Sequence, residues 1–342
     1  MADRRNPEAP SAGWLEQPTK RYRDSIMLCS FRHYWRYCLL VLLAALTGCS
    51  GSGLIDALTP GDTYRLNANL PYGANVRQQS DLYRPLGPAP PGGYPLVVFF
   101  YGGTWNSGQR ADYRFVGEAL AERGLMTLVA DYRLYPEVSY PDFLDDCAAA
   151  VRYAFNQAAG WGANPQRIFL LGHSAGAYNV SMLALDQRWL AKQSLQPMQL
   201  AGWGGLAGPY DFLPIVNPEA KPVFHFPDTP VNSQPIRHVD HNTPPAFLAA
   251  ARHDDLVDPQ RNSAQLASAL QARAVPVTLR LYDHVSHLTL LAAFSRPLRF
   301  LAPVLEDFTR FVAENGGAPS GIGAAVHSVN LQSGTTSALP AR

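Results

Sequence analysis

Residues 167–176 read Arg-Ile-Phe-Leu-Leu-Gly-His-Ser-Ala-Gly, and this stretch decides the fold. Its first half is apolar and rich in β-formers, as expected for a strand buried on both faces of a parallel sheet. Its second half has the pattern G-x-S-x-G and leads into helical spacing over residues 175–185. Glycines two positions either side of Ser174 permit a very tight strand–turn–helix junction, which lifts the serine oxygen clear of the sheet. The stretch therefore predicts an α/β protein with Ser174 as a candidate nucleophile.

Short apolar runs and helical runs alternate along most of the remaining chain. The predicted strands are 79–84, 96–101, 125–130, 167–171, 200–206, 247–251 and 277–282. The predicted helices are 113–123, 141–159, 175–185, 260–273 and 298–313. This alternation favours a mostly parallel central sheet with helices on both faces. Residues 212–245 interrupt it with many prolines and little periodicity, which predicts a lid-like insertion or pocket wall.

The N-terminal region has the parts of a targeting signal. A basic stretch at Arg32, His33 and Arg36 precedes the apolar run Cys38–Leu46, whose nine residues are too few to span a bilayer. The sequence Leu-Thr-Gly-Cys that ends at Cys49 resembles the lipobox of bacterial lipoproteins, which implies that Cys49 is lipidated.

The lipobox resemblance implies a bacterial cell-envelope protein held by a lipid anchor. Ser50, which follows the cysteine, favours the outer membrane. An ordinary signal peptide with an incidental Cys49 is the alternative. The predicted organisation is a polar leader and lipoprotein signal peptide (1–48, with Met27 as an alternative start), a lipidated tether (49–63), a catalytic domain (64–315, with the insertion 212–245) and a disordered tail (316–342).

Composition narrows the class of protein. Of 342 residues, 47% are hydrophobic and 16% charged, which suits a globular enzyme with a large core. The net charge of +1 gives no indication of a nucleic-acid partner. There is no H-E-x-x-H motif, paired-cysteine motif or phosphate-binding loop, so we expect neither metal nor cofactor. Cys147 lies in an apolar helical stretch, which favours a buried inert thiol.

A serine nucleophile requires a base and an acid that orients the base. In strand–turn–helix enzymes of this kind both follow the serine in the chain. The loop after strand 247–251 offers Asp254 and Asp255, while Asp258 before Pro259 suits a helix N-cap. The loop after strand 277–282 offers His284 and His287. The backbone N–H of Ala175 is a candidate oxyanion donor, and the Gly-Gly loop after strand 96–101 is expected to supply the others.

Together these motifs resemble the esterase/lipase branch of the α/β-hydrolase superfamily, near its carboxylesterase, feruloyl-esterase-like and arylformamidase groups, over roughly residues 64–313. The matching segments are Tyr-Gly-Gly-Thr-Trp (101–105), Asp-Tyr-Arg-Leu (131–134), the serine pentapeptide (172–176) and Thr-Pro-Pro-Ala-Phe (243–247). The resemblance implies the α/β-hydrolase fold. Tyr101 stands where the family motif has a histidine, which affects the choice of sub-family.

The resemblance also implies roles for individual residues. The spacing D-x-x-V favours Asp254 as the acid over Asp255, and the family pattern favours His287 as the base over His284. The backbone N–H groups of Gly103 and Thr104 would form the oxyanion hole together with that of Ala175, and the Trp105 side chain would form part of the wall of the acyl pocket. Asp131 and Arg133 would have a structural role as a buried ion pair or loop brace, and His173 would pack beside Ser174.

The function implied is hydrolysis of carboxylic esters with small or medium acyl or aryl groups, through an acyl-enzyme. The predicted partners are the ester substrate and a membrane reached through the lipid anchor; oligomeric state is not predicted. An arylformamidase or other amidase would use the same residues. A non-catalytic lipid-anchored binding protein is a lesser alternative, since a binding module has no need of a strained serine turn.

Overall fold

The computed structural model describes residue 55 and residues 58–316. The chain divides into two units, residues 1–57 and 58–342, and only Ile55 of the first unit is described. The predicted lipidation site Cys49 and the tail from residue 317 onward lie outside the described residues.

A central sheet of eight strands organises the described unit, in the order β1-β2-β4-β3-β5-β6-β7-β8. The strands are β1 (Tyr64–Pro71), β2 (Gln79–Pro85), β3 (Tyr94–Phe100), β4 (Met126–Ala130), β5 (Ala163–His173), β6 (Gly202–Leu206), β7 (Ala246–Ala251) and β8 (Val277–Tyr282). Strand β2 pairs antiparallel with β1 and β4, and every other pair is parallel. The predicted mostly parallel sheet is confirmed.

Helices connect the strands and cover the sheet. The α-helices are α1 (Arg114–Glu122), α2 (Asp142–Trp161), α3 (Ala175–Leu185), α4 (Gln187–Ala191), α5 (Ala220–Val223), α6 (Gln265–Ala272), α7 (His287–Ala292) and α8 (Val304–Asn315). In the sheet, β4 lies on the β1 side of β3, and β5 lies on the β8 side of it. The connection from β3 through α1 to β4 therefore moves toward β1, whereas the connection from β4 through α2 to β5 moves toward β8. Right-handed crossovers therefore place α1 and α2 on opposite faces. Helix α3 packs with α2, and α8 packs with α1.

Strand β1 was not predicted from the sequence. Its side chains are mostly exposed, and it pairs with β2 alone at the edge of the sheet. An edge strand that faces solvent has no buried apolar face, and so it leaves little hydrophobic pattern in the sequence.

The predicted continuous helix 298–313 is wrong. A 3₁₀-helix spans Arg296–Leu301, the chain becomes extended at Ala302, and α8 starts at Val304. Pro303 explains the break, because proline lacks an N–H to continue a helix and disfavours helical backbone in the residue before it. Similarly, the predicted helix 260–273 begins with a π-helical turn, Gln260–Ala264, before α6.

The end of the predicted tether contacts the domain. The Thr59 carbonyl accepts a hydrogen bond from Arg114 Nη2 (3.2 Å), and Thr63 Oγ1 donates to Glu118 Oε1 (3.0 Å). Thr59 and Thr63 therefore both contact α1.

Candidate active site

Ser174 lies at the sharp turn between β5 and α3, in a backbone conformation that is rare for a residue other than glycine. Its φ is 54° and its ψ is −119°. A Cβ atom on Gly172 would lie 2.2 Å from the Gly176 carbonyl oxygen, and one on Gly176 would lie 2.0 Å from the Phe100 carbonyl oxygen. The two glycines are thus required by backbone packing, as the pentapeptide predicted.

His287 is the side chain that meets the serine. Its Nε2 atom lies 2.9 Å from Ser174 Oγ, and its side chain is almost fully buried. His287 is the first residue of α7, and the Ser286 side chain caps that helix by accepting a hydrogen bond from the Thr289 N–H. The cap fixes the helix start and therefore the position of the imidazole. His284 is exposed.

Asp254 completes the hydrogen-bonded chain. Its Oδ2 lies 2.8 Å from His287 Nδ1, and its Oδ1 accepts hydrogen bonds from the backbone N–H groups of Leu256 and Val257, both at 2.9 Å. Burial alone would raise the pKa of Asp254, but these hydrogen bonds outweigh it and hold the pKa below its ordinary value. Asp254 is therefore ionised at neutral pH, and it orients the imidazole with Nδ1 protonated. Asp255 is exposed.

Beneath the imidazole lies His173, which the sequence predicted only to pack beside the serine. Its Nε2 donates to the His287 carbonyl oxygen at 2.9 Å. Burial, and secondarily the neighbouring His287, lower the pKa of His173 to about 3. The ring is thus neutral at ordinary pH and tethers the backbone of His287.

The loop after β3 has the backbone expected of an oxyanion site. Gly103, Thr104 and Trp105 have φ values of 114°, 50° and 57°, three consecutive residues in the left-handed region. The backbone N–H groups of Gly103 and Thr104 have no acceptor among the described residues. Ala175, as the first residue of α3, has no intrahelical acceptor for its N–H. Thr104 and Ala175 line the cavity beside Ser174, and Gly103 directly precedes Thr104 in the same loop.

Tyr101, in place of the family's histidine, anchors the start of this loop. Its hydroxyl donates to Asp131 Oδ1 (2.6 Å) and accepts from Arg77 Nη2 (2.7 Å). The ring is stacked between those of Tyr113 and Tyr132. Burial, with the nearby Asp131 carboxylate, raises the pKa of Tyr101 far above its ordinary value, so the hydroxyl remains a donor.

Asp131 and Arg133 both form ion pairs, but with different partners. Asp131 pairs with Arg110 and lies 3.8 Å from Arg77 Nη2. Arg133 pairs instead with the buried Asp146 on α2 at 2.7 Å. Each brace holds the segment after β4 against a neighbouring element.

A cavity of about 130 Å³ opens at Ser174. Its polar lining residues are Thr104, Ser174, Asn217 and His287. Its other lining residues are Trp105, Ala175, Pro209, Phe212, Ile215, Val216, Ala220, Leu256 and Val257. Residues 212–220 of the predicted insertion thus form one wall of this cavity. No local motif in the sequence identifies the individual apolar residues of that wall.

Within the described part of the chain, no group of three or more His, Cys, Asp or Glu side chains is placed to hold a metal ion. Cys147 is fully buried on α2, and burial raises the pKa of its thiol. Across the same residues, none of the helices has the length and apolar character that crossing a membrane requires.

Comparison with known sequences gives a family match. The family model BD-FAE matches residues 80–270, more than half of the chain. A probable isoprenylcysteine α-carbonyl methylesterase from Arabidopsis thaliana is 28% identical over 240 residues, covering 63% of this chain and 49% of that protein. A carboxylesterase from Mycobacterium tuberculosis is 41% identical over 88 residues, covering 25% of this chain and 27% of that protein. The chain thus spans about half the length of the plant relative.

Two solved structures of similar fold are esterases. An inhibited esterase B from Lactobacillus rhamnosis has a TM-score of 0.67 at 18% identity, covering 85% of this chain and 96% of that chain. Esterase 2 from Thermogutta terrifontis has a TM-score of 0.62 at 22% identity, covering 76% and 98%. These likenesses show that the predicted α/β-hydrolase fold is correct.

Proposed function

The chain belongs to the BD-FAE family and has the α/β-hydrolase fold, and from this premise we propose that it is a serine esterase. One observation carries the proposal: a continuous hydrogen-bonded chain runs from Ser174 Oγ through His287 to Asp254. A strained serine, a base in contact with it and a buried acid behind the base are the three parts that nucleophilic acyl transfer requires.

In the proposed reaction, Ser174 Oγ attacks the ester carbonyl carbon while His287 Nε2 takes the hydroxyl proton. Asp254 keeps the imidazole in the tautomer that can accept this proton, and it stabilises the imidazolium that forms. The carbonyl oxygen becomes an oxyanion, which we expect the N–H groups of Gly103, Thr104 and Ala175 to bind. The dipole of α3 adds favourable positive potential at the same point.

Collapse of this tetrahedral intermediate breaks the bond to the alcohol oxygen, and His287 returns the proton to that leaving group. The acyl group is then bound to Ser174 as an ester. Water attacks the acyl carbon with His287 again as base, and the second collapse releases the carboxylic acid and restores the serine hydroxyl.

The cavity lining supports an uncharged acyl group of small to medium size. No Asp, Glu, Lys or Arg is among its lining residues, so a charged substituent would be desolvated there without a partner. A volume of about 130 Å³ suits a short acyl chain within the cavity. Two lining residues, Val216 and Leu256, are 84% and 71% exposed, which leaves an apolar rim against which a longer chain or an aryl group could lie.

Hydrolysis of p-nitrophenyl acetate, butyrate and octanoate by the wild type and by Ser174→Ala tests the proposal. We expect turnover by the wild type, a preference for the two shorter esters, and a loss of at least about 10³-fold in kcat for the variant. Ser268→Ala, which changes an exposed serine on α6, is the matched control and should retain full activity. Equal rates for wild type and Ser174→Ala would exclude Ser174 as nucleophile. Wild-type activity on N-formyl aryl amides but not on esters would favour the amidase alternative.

We also propose that the protein is a bacterial lipoprotein anchored through Cys49 in the cell envelope. The basic stretch, the nine-residue apolar run and the Leu-Thr-Gly-Cys sequence support this proposal. Expression in a Gram-negative host, followed by detergent phase partitioning, tests it. We expect the wild type in the detergent phase with the membrane fraction, and Cys49→Ser in the aqueous phase. Cys38→Ser, within the apolar run, is the control and should partition like the wild type.

A further inference from the structure

Asn179 is a fully buried amide on α3 whose position is not explained by core packing. All residues of α3 are buried, and most of them are apolar. The Asn179 Oδ1 atom accepts a hydrogen bond of 2.9 Å from Trp105 Nε1, and the amide also interacts with the buried thiol of Cys147 on α2. A thiol sulfur is a weak hydrogen-bond acceptor, so a leucine at this position would avoid much of the desolvation of the amide. The presence of an amide at this position is therefore better explained by its hydrogen bond to the Trp105 indole.

The indole is held from several sides. Its ring contacts those of Phe143, Tyr178, Phe212 and Phe224, at centroid distances between 4.8 and 6.3 Å. These contacts fix the ring plane, and the hydrogen bond to Asn179 fixes its rotation within the aromatic cluster. The Trp105 carbonyl also accepts a hydrogen bond from the Tyr135 N–H at 2.8 Å.

Trp105 is the last of the three consecutive left-handed residues in the loop after β3, and its φ is 57°. Bulky residues rarely adopt this left-handed conformation, so the loop requires support from its surroundings. Thr104, which lines the cavity beside Ser174, directly precedes Trp105. A change in the position of the indole would therefore be passed to the Thr104 N–H through a single peptide unit.

The Trp105–Asn179 hydrogen bond joins the two halves of the candidate oxyanion site. One half, with Gly103 and Thr104, belongs to the loop after β3; the other, Ala175, is four residues before Asn179 on α3. Oxyanion stabilisation depends on donors placed within a few tenths of an ångström, and small displacements reduce rates greatly. A hydrogen bond between the loop and the helix is suited to setting that spacing.

We propose that Asn179 is a positioning residue, which through the Trp105 indole sets the distance between the Thr104 and Ala175 N–H groups. It touches neither substrate nor reacting atoms. The proposal rests on the proposed esterase function, because it assigns these N–H groups to the oxyanion.

The test compares Asn179→Leu, Trp105→Phe and the double variant with the wild type on p-nitrophenyl acetate. Loss of donor alignment should lower kcat by about 10- to 100-fold and change KM by less than about threefold. The double variant should be no slower than the slower single variant, because both substitutions remove the same hydrogen bond. Ser181→Ala is the matched control, since Ser181 is a buried polar residue on α3 whose hydroxyl bonds only locally to the Tyr178 carbonyl.

A second measurement does not depend on ester turnover. Diethyl p-nitrophenyl phosphate should form one Ser174 Oγ–P bond while the P–O bond to p-nitrophenolate breaks, with the serine proton passing to His287. The phosphoryl oxygen then occupies the oxyanion site. We expect the rate of p-nitrophenolate release to fall by about 10- to 100-fold in Asn179→Leu and in Trp105→Phe.

The outcomes separate the two proposals. Failure of the wild type to hydrolyse any ester would contradict the esterase function, while slower phosphorylation in the two variants would still support the role of Asn179. Variants that fold, and that keep wild-type kcat and phosphorylation rates, would overturn the role of Asn179 even if their thermal stability changed. If Asn179→Leu fails to fold, Asn179→Ala takes its place, because it removes the same hydrogen bond and leaves the cavity-lining Trp105 side chain intact; wild-type kcat and phosphorylation rates in that variant would overturn the role of Asn179.

Discussion

Asp254 and Asp255 are neighbours in the chain and differ only in where the backbone points their carboxylates. Asp254 is buried and hydrogen-bonded to His287, while Asp255 faces solvent. The same contrast separates His287, in contact with Ser174, from the exposed His284. At the scale of single residues, burial and a hydrogen bond to the next member of the chain distinguish a candidate catalytic side chain from a neighbour of the same residue type.

Asp254→Asn and Asp255→Asn form a matched pair for this contrast. An amide at position 254 can donate to the imidazole and favour the wrong tautomer, so we expect kcat on p-nitrophenyl acetate to fall by about 10⁴-fold. Asp255→Asn should change kcat by less than about twofold. Steady-state kinetics at pH 7.5 checks both values, and the reverse ranking would assign the acid to Asp255.

At the scale of elements, the junction of β5 and α3 depends on the close approach of three backbone segments. Gly176 on α3 packs against the end of β3, where the Phe100 carbonyl leaves no space for a side chain. Gly160 on α2 is also helical, but a Cβ there would meet no atom within 4 Å. Backbone packing therefore requires a glycine at position 176 but not at position 160.

Replacing each glycine by alanine should change stability in opposite directions. Gly176→Ala should lower the free energy of unfolding by about 3 kcal/mol or more, because backbone on both sides must move. Gly160→Ala should raise it by about 0.5–1 kcal/mol, because alanine reduces the entropy of the unfolded chain. Urea denaturation measures both. A stabilised Gly176→Ala would show that the junction is looser than these contacts indicate.

At the scale of the whole molecule, the strand order brings four loops to one edge of the sheet. Strands β3, β5, β7 and β8 are parallel, and the loops at their carboxyl ends carry Thr104, Ser174, Asp254 and His287. Such ends of parallel strands are where α/β proteins place their sites. His173 ends β5 at this same edge and is buried there.

His173 should make the stability of the whole protein depend on pH. Its pKa is about 3 in the folded chain and about 6.5 in the unfolded chain, so below pH 6.5 the unfolded state binds a proton that the folded state does not. Stability therefore falls as pH falls from about 6.5 toward 3. Between pH 8 and pH 5 this one group should reduce the free energy of unfolding by about 2 kcal/mol.

His173→Gln removes this titration and keeps an amide donor for the His287 carbonyl. Urea denaturation at pH 8 and at pH 5 should show a smaller loss of stability for the variant than for the wild type, by about 2 kcal/mol. The contributions of other titrating groups cancel in the comparison. Equal losses would mean that His173 does not stay neutral in the folded protein.

The sequence by itself determined the fold class, the predicted helix 175–185 and the tight turn at Ser174. These features rest on local rules, since a buried strand must be apolar, a helix follows its own periodicity, and a sharp turn excludes side chains near it. Position along the chain also limited the acid and the base to two candidates each. Prediction from hydrophobic periodicity failed at strand β1, because an exposed strand has little apolar pattern. It also failed at residues 298–313, where Pro303 separates a 3₁₀-helix from α8 although the apolar spacing is continuous.

The family resemblance had favoured Asp254 over Asp255, and in the structure Asp254 contacts His287. Only the tertiary structure identified the separate ion-pair partners of Asp131 and Arg133 and brought Asn179 to Trp105. Each of these contacts joins segments that are far apart in sequence or depends on the direction of a single side chain. Their energies arise from burial and from hydrogen bonds formed when the sheet assembles. No pattern within one segment can contain that information, because the partner belongs to another.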